Sequence, residues 1–151
     1  MLGVVGSVLG LLGLIAGVAA WLRPLPTAES SAPVYSEEQV ADAKKAVCEA
    51  YGEVKQALTA SSNKDGVDNP AANLAIAVNV RLALYAGSDY LLSVLQAHPA
   101  TADELRHPAE DIAAVYKRVS VKQIGEVPRA DLDHFADQAK TDAARIEAAC
   151  Q

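Results

Sequence analysis

The first 22 residues, MLGVVGSVLGLLGLIAGVAAWL, carry no charge, and only Ser7 and Trp21 offer polar side-chain atoms. A helix needs about 20 apolar residues to cross a bilayer, so this stretch predicts a transmembrane helix over residues 1–22. Trp21 and Arg23 stand where an interfacial anchor belongs, and Pro24 and Pro26 end the helix. A cleaved signal peptide fits less well, because its apolar stretch is shorter and a basic segment precedes it. A pilin-type assembly helix would carry an acidic residue near its start, and none is present. The lack of any basic residue before Arg23 is unusual for a span and compatible with a longer native N-terminus.

Small residues recur at Gly3, Gly6, Gly10, Gly13, Gly17 and Ala20, in alternating steps of three and four. That period puts all six on one stripe of a helix. Inside lipid, where apolar burial gives helices no reason to associate, such a stripe lets a second backbone pack closely. The partners expected are therefore the bilayer and other transmembrane helices, of a complex or of a second copy.

Residues 23–35, RPLPTAESSAPVY, hold three prolines among small polar residues and read as a semi-rigid linker. Residues 36–151 are long enough for one compact domain. The chain's net charge is −6, and Arg23 is the sole charge before Glu29, so the 12 basic and 19 acidic residues that follow make the remainder more acidic still. An acidic surface repels phosphates and argues against nucleic acid as a partner. Alanine, the strongest helix former, supplies 25 of residues 36–151, and Phe135 is the only phenylalanine. Aromatic and β-branched residues would favour strands. The composition predicts an all-α fold, and the loop lengths suit a small antiparallel four-helix bundle.

The first helix is expected from Ser36, with Ser36 and Gln39 at capping-box spacing, to about Ala60, burying Val40, Val47, Tyr51, Val54 and Leu58. The second is expected from Pro70, capped by Asn69, to about Ala97. Its main face reads Leu74, Val78, Leu82, Tyr85, Leu92 and Leu95, broadened by Ile76, Val80, Leu84 and Leu91, so it is apolar nearly all round. Gly87, in mid-pattern, marks a close helix crossing or a kink. The third helix starts near Thr101, with Glu104 at capping-box spacing, or restarts at Pro108; its face is Ile112, Val115, Tyr116 and Val119. The fourth runs from about Ala130 to Cys150, with Leu132, Phe135, Ala139, Ala143, Ile146 and Cys150 in register.

Cys48 and Cys150 bracket the domain. In an up-down bundle the last helix returns toward the start of the first, so a Cys48–Cys150 disulfide is expected, with two buried thiols as the alternative. A disulfide implies an oxidising, extracytoplasmic side. A zinc site would need four ligands, with only His98, His107 and His134 to help.

His98 and His107 flank a segment holding Asp103, Glu104 and Glu110, and His134 lies among Asp131, Asp133 and Asp137. Both groups suit solvated helix starts, where acids oppose the positive dipole end, better than acid–base catalysis. No nucleophile-elbow, zinc-helix or phosphate-loop motif occurs. Lys117, Arg118 and Lys122 form a small basic patch for solvent, anionic lipid or an acidic partner. Tyr51, Tyr85, Tyr90 and Tyr116 are expected mostly in the core, though they would suit a pocket between helices. The many alanines should draw helices together and argue against a large cavity.

The layout resembles that of alanine-rich membrane proteins of mycobacteria and their relatives, mostly uncharacterised. The likeness rests on the glycine-rich span, AAWLRPLP, YSEEQVADAKKAVCEAY, NPAANLAIAVNVRLALYAGSDYLL and the closing cysteine. It implies an N-in, C-out protein facing the periplasmic space and carries over no catalytic residue. The expected function is a non-enzymatic accessory or scaffold subunit of a cell-envelope complex, without a cofactor. The alternative is a module that binds a lipid or small apolar ligand.

Overall fold

A computed structural model describes residues 34–62 and 69–151. The chain divides into two units, Met1–Val34 and Tyr35–Gln151, and the second is the one described. The expected membrane helix, with its glycine stripe and its Trp21 and Arg23 anchor, lies outside the described residues. No helix among the described residues is long and apolar enough to cross a membrane.

The domain is all-helical: α1 (Glu37–Ser62), α2 (Pro70–Ala97), α3 (Asp103–Ile124), a 3-10 turn (Arg129–Leu132) and α4 (Asp133–Ala149), with no strand among the described residues. Each helix packs on the next in chain order, which makes a bundle of antiparallel neighbours.

Local chemistry sets most of the helix ends. The Ser36 and Gln39 side chains cap each other's backbone: Gln39 N donates to Ser36 Oγ at 3.2 Å and Ser36 N to Gln39 Oε1 at 2.9 Å. Asn69 Oδ1 accepts from the Ala71 and Ala72 amides at 3.0 and 3.4 Å, and Pro70 takes the first helical position, where it loses no bond. The α2 C-terminus is closed by Arg106, whose guanidinium donates to the Leu95 and His98 carbonyls at 3.5 and 3.0 Å.

Thr101 departs from expectation. It is buried, and its hydroxyl donates back to the His98 carbonyl at 2.7 Å instead of capping α3. Ala102 is the α3 N-cap and supplies no side-chain bond. Burial decides this: the hydroxyl needs a partner inside, and the His98 carbonyl, which has no partner within α2, accepts it together with the Thr101 amide and Arg106. α3 then runs through Pro108 without restarting.

The core gathers Val47, Ala50 and Tyr51 of α1, Leu91 and Leu95 of α2, Leu105, Ala109, Ile112 and Ala113 of α3, and Ile146 of α4. Small residues mark the crossings. A Cβ on Gly87 would lie 2.7 Å from Val54 Cγ1, so α1 and α2 meet closely there, as the crossing reading of Gly87 expects. Between α2 and α3, Ser88 Oγ donates to the Ala113 carbonyl at 2.8 Å and Ser120 Oγ to the Arg81 carbonyl at 3.0 Å. The two bonds are seven residues apart on each helix, which fixes one antiparallel register and satisfies both hydroxyls on main-chain carbonyls.

The inner face of α2 is therefore the one around Leu84, Gly87, Ser88, Leu91 and Leu95. The series expected to lead the packing is largely outside: Leu74, Val78, Leu82 and Tyr85 are 62, 49, 61 and 46% exposed. Because α2 is apolar on both sides, periodicity could not choose between them. Close approach by α1 and α3 chose the side with glycine and serine. Val40, expected inside α1, is also exposed.

Candidate functional site

Cys48 and Cys150 are disulfide-bonded, with Cα atoms 5.8 Å apart across 102 residues of sequence. The bridge ties the first half of α1 to the residue that ends α4. Beside it Lys55 Nζ donates to Glu147 Oε1 at 2.6 Å, a bond that raises the lysine pKa. Both side chains are exposed, so this pair adds orientation more than stability. At this end alanines keep the helices close, with Ala43, Ala50, Ala109 and Ala113 all buried.

Away from the bridge the bundle opens. After α3 the backbone turns through a tight C-terminal motif: Glu126 N donates to the Gln123 carbonyl at 3.3 Å and Val127 N to the Lys122 carbonyl at 3.1 Å. Glu126 adopts the left-handed conformation at φ 56°, the position glycine usually fills in this motif, while Gly125 takes a negative φ. The 3-10 turn then offsets the start of α4. A groove of about 740 Å³ results, walled by Ile76, Val80 and Leu84 of α2, Val115 and Val119 of α3, and Leu132 and Phe135 beyond the turn. The expectation that alanine would leave no large cavity fails here, because the wall residues at this end are long and branched. Arg81, Arg129, Glu126 and Asp133 border the same space. Tyr116 faces it too; burial, and then Tyr51, push its hydroxyl up to about 12, so it stays protonated at neutral pH.

The basic patch is engaged with aromatic rings. Lys117 Nζ lies 5.4 Å from the Tyr85 centroid and 3.8 Å from Asp89 Oδ1. The Arg118 and Lys122 cations each lie 5.7 Å from the centre of the buried Phe135 ring. Tyr51 is buried, whereas Tyr85 and Tyr90 are 46 and 43% exposed, so half of the tyrosines expected inside are on the surface.

Both histidine groups are spread over helix starts. His98 ends α2, Asp103 and Glu104 occupy the first turn of α3, and His107 Nδ1 reaches Glu110 only at 4.0 Å, while Glu110 also pairs with Arg106 at 3.5 Å. His134 stacks on its neighbour Phe135 with ring centres 3.8 Å apart, Asp137 pairs with Lys140 at 4.0 Å, and Asp131 and Asp133 are exposed. Among the described residues no three acidic, histidine or cysteine side chains are grouped to hold a metal ion.

One group escaped the sequence reading. Asp142 is 5% exposed on the inner side of α4; its Oδ1 accepts from Arg145 Nη1 at 3.5 Å, and Oδ2 has no partner among the described residues. Burial and the Asp111 charge raise its pKa, against a lowering by Arg145. The register was a usable signal, since Asp142 sits three residues after Ala139 and four before Ile146.

No family model, no curated protein and no solved structure matches the chain.

Proposed function

We propose that the chain is a non-enzymatic accessory or scaffold subunit of a cell-envelope membrane complex. In this reading residues 1–22 cross the inner membrane once, the glycine stripe packs on another transmembrane helix, and the linker carries the bundle on the extracytoplasmic side. The observation that carries the reading is the bare face of α2. Leu74, Val78, Leu82 and Tyr85 recur at helical spacing, with exposed Ala71, Ala75 and Ala86 beside them and the half-buried Arg81 as the one charged residue between Ala71 and Ala86. At 1.5 Å per residue that is a largely apolar strip roughly 24 Å long, with Arg81 at its edge. A contiguous apolar face of this kind suits an apolar helix of a partner subunit. The disulfide supports the compartment, since such bonds persist where the environment is oxidising.

The test is co-purification of the full chain from its native membranes in mild detergent. A discrete partner is expected. It should be lost on Leu74→Glu with Leu82→Glu, while circular dichroism stays helical, and weakened by Gly10→Leu with Gly13→Leu in the span. Partner recovery equal in all variants would overturn the reading. The groove favours a second reading, a module that holds an apolar ligand.

A further inference from the structure

We infer that the groove between α2, α3 and α4 binds a single-chain aliphatic anion, a long-chain carboxylate, with its tail along the apolar wall and its head at Arg81 and Arg129. The inference rests on the second reading above; on α2 the groove uses Ile76, Val80 and Leu84 and the docking face Leu74, Val78 and Leu82, with Arg81 at the border between them.

Size and lining come first. The space of about 740 Å³ falls within the usual range for small-molecule sites, roughly 300–1,000 Å³. Its wall is aliphatic and aromatic, from Ile76, Val80 and Leu84 across to Val119, Leu132 and Phe135. A flexible apolar chain matches such a surface, and a polar solute would leave it wet.

Charge then selects the head. Five arginines lie among the described residues. Arg106 holds Glu110 and two carbonyls, Arg145 holds Asp142, and Arg118 stacks on Phe135. Arg81 and Arg129 make no side-chain hydrogen bond, ion pair or ring contact among the described residues, and both border the groove. Glu126 and Asp133 border it as well, yet neither forms an ion pair with either guanidinium. Asp133 is placed at the start of α4, where the helix dipole favours a negative charge, so it needs no arginine. A guanidinium beside an apolar wall is the donor set that a carboxylate takes, in two parallel hydrogen bonds. Lys122 and Arg118, stacked on Phe135, add positive potential at the same end of an otherwise acidic chain.

The test uses the full chain in its native membranes and a palmitic acid probe carrying a diazirine on its tail, with the fatty alcohol of equal length as control. Photolysis followed by peptide mapping should label the stretches around Val80, Val119 and Phe135. Val80→Trp, which fills the groove, should reduce that labelling about tenfold or more; Val119→Phe serves the same purpose should the first variant lose its helical spectrum. Arg81→Gln with Arg129→Gln should lower labelling by the acid about tenfold, the loss expected for one charge-assisted pair, and bring it to the level of the alcohol. Leu74→Glu with Leu82→Glu should leave groove labelling unchanged even where it abolishes partner recovery. Labelling confined to residues 1–22 or to the outer face of α2 would overturn the proposal, as would indifference to Val80→Trp and Val119→Phe. Equal labelling by acid and alcohol in the unaltered protein would overturn the anionic head.

Discussion

Asp142 shows how much one misplaced polar group can weigh in a domain of this size. Its position on α4 faces the core, where an aliphatic residue would bury without cost, and among the described residues its carboxylate has one partner, Arg145 at 3.5 Å. A buried acceptor without a hydrogen bond costs about 1–3 kcal/mol. Burial, followed by repulsion from Asp111, raises the folded-state pKa above the ordinary value of 3.8. A pKa raised by folding means that the folded state holds the proton more tightly than the unfolded chain does. The contribution to stability is therefore fully present below the unfolded pKa and is lost as pH rises through the folded one. At neutral pH Asp142 is destabilising. Asp142→Asn removes the charge and should raise the midpoint of thermal unfolding at pH 7, with a gain on the order of 1 kcal/mol. The gain should shrink as the pH falls through the raised folded-state pKa and vanish below the ordinary value, where the aspartate is protonated folded and unfolded alike. Thermal melts of both proteins between pH 3 and pH 8 check this, and an advantage that stays constant across the range would show that the charge is irrelevant.

The elements were legible in the sequence wherever a side chain caps its own helix. Ser36 with Gln39 and Asn69 with Pro70 act within a few residues, so pattern alone placed the starts of α1 and α2. Thr101 misled because its partner is the end of the preceding helix, a tertiary fact. The working face of α2 was hidden for a related reason. Two apolar sides offer equal periodicity, and the choice falls to whichever side lets neighbours come closest. The groove was invisible because it depends on where the turn after α3 aims α4. Gly87 carries the test of this account. Alanine there should gain about 1 kcal/mol in helix propensity, yet its Cβ would meet the stiff, β-branched Val54 at 2.7 Å. Overpacking typically costs about 1–3 kcal/mol, so Gly87→Ala should be neutral to destabilising. In a Val54→Ala background, with the contact gone, the same substitution should stabilise. Chemical denaturation of the four proteins should give a coupling of about 1–3 kcal/mol between the two sites. Additive effects would mean that α1 and α2 do not cross at Gly87.

At the scale of the whole domain, helix pairing runs from α1 to α2, α2 to α3 and α3 to α4, while α1 and α4 approach closely only beside the disulfide. Packing thus forms an open series, and the Cys48–Cys150 bond closes it. A cross-link spanning a loop of this length removes unfolded-state entropy worth up to roughly 4.7 kcal/mol in the chain-entropy model, with measured values commonly about 2–5. Cys48→Ser with Cys150→Ser should therefore lower stability by an amount in that range. The loss should not be spread evenly. The α2–α3 pair keeps its serine–carbonyl bonds and its share of the core, so amide exchange should accelerate first in α1 and α4 and least in α2 and α3. A uniform increase would indicate that the bridge stabilises only by constraining the unfolded chain. The same bond also bears on where the domain resides. Protein taken from its native membranes and denatured without reductant should leave both thiols unmodified by an alkylating reagent, and reduction should expose both. The cysteines bracket the bundle so that oxidation joins its ends, and that placement has a structural purpose only where oxidation is stable. Full labelling before reduction would leave the fold standing on its core alone, and the extracytoplasmic placement would have to be abandoned.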